Sequence, residues 1–507
     1  MNIGDVVSGR AKLKGIRWAL LSVTAHKVLA DQLRALLPVG AAVGPCRLRE
    51  ARFKPGRKIT AYYDALVNTE SPEGHHVRPI AVTWGPSTRA DRYAEHEETL
   101  GLAKIQAEAV RHGVAAPFLE LMADLPEWNM HIRVSPLDPR FTQLVRVSDP
   151  LYVRAMLEET YAAGNAAWHQ HRISDYTVTS IKYRPGKRHV LRYDPRDPVT
   201  GAAVFAKLYI CKEEARASRR EDGARAFRVA QEVADWLAER GQVVNSLRPL
   251  GYVAQDAVVL YPQLCGVPLS DYTRRLNRVA ARCLHQAGVA VCALHHLPVA
   301  LAGRPERHDF AAEIRWIVQK SHHIPALLPE VGSAIAAVLD RARELHERLP
   351  QEPATFTHRD LKTEHIWVTS DGLTVMDFDS SRLADPALDV GYFLADLQFR
   401  HAAWPQAGLE KVRESFLAGY APGAPKERLT RARLYEAVEL VKCAVRRVQL
   451  FEHDWASRTA GLVERAQAVI NDLERILGLP VRICPRRPLP LGASVSLTRV
   501  QSRRAGT

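Results

Sequence analysis

Apolar and polar residues alternate through much of the first half of the chain, and after Pro268 they recur at helical spacing. Two stretches in the alternating half resemble each other: LREARFKPGRKITAYYDALVN (residues 48–68) and VTSIKYRPGKRHVLRYDPRDP (178–198). Each runs strand-type residues into an aromatic-basic-Pro-Gly-basic turn and out again. There proline presets φ and glycine supplies the positive φ of a type II turn, so each predicts a hairpin. A further strand follows each (RPIAVTW, 78–84; AVFAKLYI, 203–210). Then come a helical stretch (90–111; 222–240), a His-Gly or Arg-Gly stop, and more strand-type sequence (NMHIRVSP, 129–136; AVVLYPQL, 257–264). The same order of elements over about a hundred residues predicts a duplicated small α+β unit. Between the copies, residues 144–171 read as a linking strand and helix, with His169 and His171 as exposed helix-end histidines rather than a metal pair.

The second half predicts helices almost throughout, as in DFAAEIRWIVQKSH (309–322) and RLTRARLYEAVELVKCAV (428–445). Only Thr355 to Phe378 interrupts, with the strand-like runs HIWVT and LTVMDF around the turn SDG. The division expected is an N-terminal α+β domain over 1–170, a second α+β unit over 171–264, a mainly helical unit over 265–479, and a Pro/Arg-rich tail over 480–507.

Length and composition agree with several soluble domains: 507 residues, 47% hydrophobic and 25% charged. The seven cysteines are scattered without a Cys-x-x-Cys pair, which argues against a disulfide framework or zinc site and for a reducing, cytoplasmic setting. No secretory signal is read at the N-terminus, and the longest apolar run, 287–302, holds His295, His296 and Pro298 and is too short to span a bilayer. The net charge of +14 lies partly in the tail and reads as a solvated basic surface that aids encounter with anions such as nucleotides. No basic-aromatic motif supports a nucleic-acid partner.

The chemistry sits in the interruption. Phosphoryl transfer needs a cation near the nucleotide phosphates, carboxylates to hold magnesium, and an acid to take the acceptor hydroxyl's proton. Lys207 lies on a strand of the second repeat and points opposite to its apolar neighbours Ala206 and Leu208. Asp360 follows an apolar strand and Asp377 ends the next strand pair, which aims both carboxylates at one cleft.

THRDLKTEHIWV, TVMDFDSS and DPALDVGYFLADL resemble the catalytic and metal-binding segments of the aminoglycoside phosphotransferase and choline kinase group, small-molecule kinases with a protein-kinase-like fold. The looser similarity covers roughly residues 177–477. The resemblance implies a two-lobed fold with a mainly helical C-lobe, preceded here by an N-terminal domain resembling a degenerate copy of the N-lobe. It implies Asp360 as catalytic base, Asp377 as magnesium ligand with Asp379 beside it, and His358 and Arg359 as shapers of the catalytic loop. Asp389 would brace that loop by capping the helix that begins VGYFLADL. A hinge at Tyr261, Pro262 and Leu264 would meet adenine, with Pro262 offering only its carbonyl. The turn from Pro185 through Lys187 to Arg188 would cover the phosphates, although no Gly-x-Gly-x-x-Gly is present. A glutamate, Glu221 or Glu232, would pair with Lys207. The implied cofactors are ATP and magnesium, or manganese, and the implied partner is a small hydroxylated molecule.

His365 stands where the family carries a magnesium-binding asparagine. Magnesium prefers oxygen, whereas imidazole suits manganese or zinc. Three readings stand open: His365 binds the metal with altered preference, it binds through water, or the second metal site is lost. The first repeat carries Val82 near the position of Lys207 and no catalytic loop, so it is expected to act as a lid or scaffold. The function expected is ATP-dependent phosphorylation of a small molecule's hydroxyl, with a nucleotide-binding pseudokinase as the alternative.

Overall fold

The computed structural model describes residues 2–69, 75–85, 101–163, 175–197, 201–210, 217–240, 244–275, 277–301, 306–403 and 407–480. The alternating stretches form two antiparallel sheets. In the first, β1 (Ala42–Lys54), β2 (Lys58–Asn68), β3 (His75–Trp84), β4 (Met122–Leu125) and β5 (Met130–Val134) lie in the order β1-β2-β3-β5-β4. In the second, β6 (Tyr176–Arg184), β7 (Arg188–Pro195) and β8 (Val204–Leu208) are followed by a helix, Ala217–Glu239, and by β9 (Val244–Ser246), which joins another sheet. β10 (Gly251–Val253) and β11 (Val258–Pro262) complete the order β6-β7-β8-β11-β10.

The two sheets therefore share one strand order, and they share local geometry too. Lys54 pairs with Lys58 and Arg184 with Arg188 across turns whose glycines, Gly56 and Gly186, both sit at φ 70. Only glycine takes that conformation without strain. The last two strands of each sheet are joined by a short 3-10 turn, Pro126–Trp128 or Ala254–Asp256. Each turn is closed by a left-handed residue, Asn129 (φ 41, ψ 43) or Ala257 (φ 49, ψ 47).

This register corrects one expectation. Lys207 pairs with Val190 and Val259. Counting from the two turns, their counterparts are Thr60 and His131, and both pair with Thr83. The residue matching Lys207 is thus Thr83, not Val82. Val82 is fully buried on the opposite, core-facing side, because neighbours along a strand point to opposite faces.

Among its described residues the linking segment contains no strand. Gln143–Arg146 is a helical turn that buries Leu144, Val145 and Val147 on different sides, and Pro150–Ala163 is a helix. A short apolar run buried on all sides has no period to reveal its type. Phe141, Leu144, Val153, Met156 and Leu157 pack with Leu191, Tyr193, Ala206 and Leu260 in one core, so by packing this segment goes with the second sheet rather than the first. His169, His171 and the tail from residue 481 lie outside the described residues.

The C-terminal half is helical around two small sheets. β12 (Val267–Pro268), β14 (Ile366–Thr369), β15 (Gly372–Val375) and β9 form one; β13 (Thr355–Thr357) pairs with β16 (Arg382–Ala384). β9 runs parallel to β15, with Val244 opposite Leu373, so a strand from the second unit holds the hairpin that carries the catalytic segment. Helices Arg278–His295 and Leu409–Tyr420 cross in close contact at Gly288 and Gly419. A Cβ at Gly288 would stand 2.1 Å from the Phe416 carbonyl oxygen. The first domain also touches this half directly: Arg17 donates to the carbonyls of Glu452 and His453, and the Ala51 N–H donates to the Gln449 side chain.

Candidate active site

Asp360, His365 and Asp377 converge across the loop after β13 and the end of β15. One ligand atom from each lies within 4.8 Å of the others. Asp377 adopts a left-handed conformation, φ 69, which turns its carboxylate out of the strand end. Lys207, nine-tenths buried on β8, reaches Asp377 Oδ1 at 2.5 Å and Asp379 Oδ2 at 2.6 Å. Arg188 on β7 approaches the two Asp377 oxygens at 3.3 and 3.2 Å, and the Tyr209 hydroxyl donates to Asp379 at 2.9 Å. Burial alone would raise the Asp377 carboxyl, but Lys207 and Arg188 outweigh it and hold the group well below the usual carboxylate range.

Asp360 lies at the cleft floor. Its Oδ1 accepts from the Tyr392 hydroxyl at 3.0 Å, and its Oδ2 stands 3.3 Å from the Lys362 ammonium. Burial opposes its charge, yet His365 and Lys362 together keep it ionised below the ordinary value. His365 Nδ1 lies 2.8 Å from the Asp360 carbonyl oxygen, where it can act only as donor, which leaves the Nε2 lone pair facing Asp377 Oδ2 at 3.5 Å. Burial, reinforced by the Lys362 ammonium, pushes His365 down to about 4 and so keeps the ring neutral at pH 7.

His358 and Arg359 sit in the catalytic loop and brace it, the place expected of them. His358 is fully buried and its Nε2 donates to the Met376 carbonyl. Arg359, at φ 61, turns its guanidinium to Glu313 at 3.1 Å. Asp389 does not cap its own helix, Ala387–Ala403. Its two oxygens accept the N–H groups of His358 and Arg359, each at 2.7 Å, while Asp385 accepts from the Ala387 N–H at that helix's start. A carboxylate in a helix's first turn can serve a passing loop as readily as the helix, and only tertiary structure decides which.

Among the described residues, Lys207 has Asp377 and Asp379 as carboxylate partners. Glu232 is part-buried on Ala217–Glu239, and the Glu221 side chain lies outside the described residues. That helix sends Arg225 to the Asp379 and Ser381 carbonyls instead. Lys187 points away from Asp377, toward Arg52, Lys54 and Arg184, and its neighbour Arg188 occupies the place over the acids. Tyr261 lies on the Lys207 face of β11, two residues beyond Val259. Pro262 pairs with Val204 at the strand's end, and part-buried Leu264 follows where the chain leaves the sheet.

The sequence reading named Arg188 only as part of a turn and did not single out Tyr392, Lys362 or Tyr209. Arg188 was signalled by its place: two residues before Val190, the partner of Lys207, it must share that lysine's face. Tyr392, thirty-two positions from Asp360, carried no such signal.

Residues 209–435 match the model of the phosphotransferase enzyme family, and this segment holds Asp360, His365, Asp377 and Asp389. Over that segment the chain is similar to the phosphotransferase enzyme family, which supports a phosphotransferase class for it. Among solved structures, it is similar to choline kinase from Cryptosporidium parvum (12% identity, TM-score 0.45, covering 65% of this chain and 98% of that one). It is likewise similar to a choline/ethanolamine kinase family protein from Mesorhizobium loti (19%, 0.42, 64% and 98%) and to ethanolamine kinase from Plasmodium vivax (11%, 0.40, 62% and 87%). No curated protein sequence matches. Among the described residues, no helix is long and apolar enough to cross a membrane.

Proposed function

We propose that the protein transfers the γ-phosphoryl group of ATP to a hydroxyl of a small molecule. The observation that supports this best is the convergence of Asp360, His365 and Asp377 within 4.8 Å beneath Lys207 and Arg188. Asp360, already ionised, takes the acceptor hydroxyl's proton as the new oxygen–phosphorus bond forms and the bond to the bridging oxygen of ADP breaks. Tyr392 and Lys362 fix its two oxygens, so the proton is received in one orientation. Lys207 and Arg188 stand where they can neutralise phosphate oxygens, and Tyr261 lines the same face toward the β11 end where adenine would lie, with Pro262 and Leu264 offering backbone groups.

The donor set, two carboxylates and one neutral imidazole, fits a divalent ion and favours manganese over magnesium relative to an all-oxygen set. Asp377 and His365 Nε2 would hold it, with Asp379 alongside, and when bound it would supply charge neutralisation on the phosphate oxygens. Asp389, His358 and Arg359 keep the Asp360 loop rigid. The first domain serves as a scaffold beside the active lobe.

The test is a panel of hydroxylated compounds with γ-labelled ATP and magnesium or manganese, comparing wild type with Asp360→Asn. Undiminished transfer in the variant would remove Asp360 as the base. Nucleotide binding without transfer to any compound would favour the pseudokinase.

A further inference from the structure

A cavity of about 610 Å³ lies where three parts of the chain meet. The β1–β2 hairpin contributes Arg52, Lys54 and Arg57; the β6–β7 hairpin contributes Arg184 and Lys187; the helical half contributes Lys320 and Arg446. Against these seven cations the lining holds one carboxylate, Glu50, already bound by Arg52 at 2.7 Å and by Arg184. Lys54, Arg57 and Lys187 have no carboxylate partner among the described residues, and the Nε of Arg446 is buried without a hydrogen-bond partner.

Like charges gathered in a concave site repel one another, and a bound anion is what offsets that repulsion. Lys187 is exposed, yet partial loss of water and the nearby Arg52 push its ammonium down to about 8. Burial and the neighbouring Arg52 also lower Arg446.

Two chains of contacts run from the cavity lining toward the catalytic acids. Arg446 and Lys320 both stack on Trp316, at 5.0 and 6.0 Å. Lys442 also lies over that ring, and it stands 4.4 Å from the ring centroid of Tyr392, the hydroxyl partner of Asp360. On the opposite wall Arg184 pairs across the hairpin with Arg188, whose guanidinium lies on Asp377.

We propose that this cavity receives the anionic end of the acceptor, so that the substrate is a hydroxylated small molecule already carrying a phosphoryl or carboxylate group, held in part by the N-terminal domain. This rests on the phosphotransfer reading above. A cationic acceptor would be repelled from such a lining, and a neutral one would leave the charge unanswered.

The test uses the full chain with labelled ATP and matched acceptors: a polyol, its phosphate ester and its carboxylic acid. One or both anionic forms should be used at least about 10-fold more efficiently than the parent, and the two arms tell phosphoryl from carboxylate recognition. The double reversal Arg57→Glu, Lys320→Glu, at two exposed positions, should raise the KM for the anionic acceptor about 10-fold or more while shifting that for ATP less than about 2-fold. Equal use of parent and anionic forms, or an unchanged acceptor KM in the variant, overturns the proposal. Calorimetry with inorganic phosphate under saturating ADP and magnesium separates the two ideas. Phosphate binding that the double variant abolishes, without transfer to any compound, overturns the phosphotransfer reading and the acceptor role with it but keeps the anion site. No phosphate binding at all overturns the site itself.

Discussion

Nε2 of His365 lies 3.5 Å from Oδ2 of Asp377, while Nδ1 of the same ring lies 2.8 Å from the Asp360 carbonyl oxygen. The loop that carries the proposed base therefore fixes the tautomer of a nitrogen aimed at the proposed metal ligand, the kind of outer hydrogen bond that tunes metal sites. His365→Asn should lower the manganese-to-magnesium activity ratio by about 10-fold, because the amide returns an oxygen ligand. Steady-state transfer rates with each ion check this, and an unchanged ratio would leave His365 a structural histidine.

Arg188 and Lys187 are adjacent but face different tasks. Arg188→Met should lower kcat/KM for ATP by about 100-fold, since it removes a charged donor from the acids and the phosphates they serve. Lys187→Met should leave the KM for ATP within about 2-fold and raise that of an anionic acceptor. Initial-rate kinetics on the pair separates the roles.

Asp396 is fully buried and accepts from the N–H and hydroxyl of Thr363, at 2.8 and 2.6 Å, next to Arg447 and Arg400. Burial works against its charge, but Arg447, Arg400 and Thr363 prevail and hold the carboxyl well below its usual range. A carboxyl lowered in the folded state stabilises the fold above its unfolded pKa, and that contribution fades as pH falls through about 4 toward the folded value. Asp396→Asn should cost about 3–5 kcal/mol at pH 7, with a gap to wild type that narrows below about pH 4. Denaturant unfolding across pH reads both.

The crossing of Arg278–His295 with Leu409–Tyr420 depends on Gly288. Gly288→Val should destabilise by about 3 kcal/mol or more, because the obstructing Phe416 carbonyl is backbone and cannot rotate away. Thermal unfolding should show the loss, and an unchanged Tm would mean that the helices separate without penalty.

The sequence made the two hairpins, the Asp360 loop and the Asp377 strand end readable, because each depends on residues close along the chain: a Pro-Gly turn, an alternation, an acid after an apolar strand. Distance along the chain hid the rest. Asp389 bonds a loop thirty residues upstream, Tyr392 reaches Asp360 over thirty-two, and Lys207 finds its carboxylates 170 residues on. The counterpart of Lys207 is Thr83, one position from the expected Val82, because alternation identifies a strand better than its register. The linking helical turn was read as a strand because its apolar residues serve two cores at once.

The turn at Gly186 is held on both sides. Its N–H donates to the Asp138 carboxylate at 2.6 Å, its carbonyl accepts from Arg140 at 3.1 Å, and the Tyr183 hydroxyl donates to the Leu137 carbonyl at 2.6 Å. A turn tied down on both its amide and its carbonyl is a nailed roof rather than a flap.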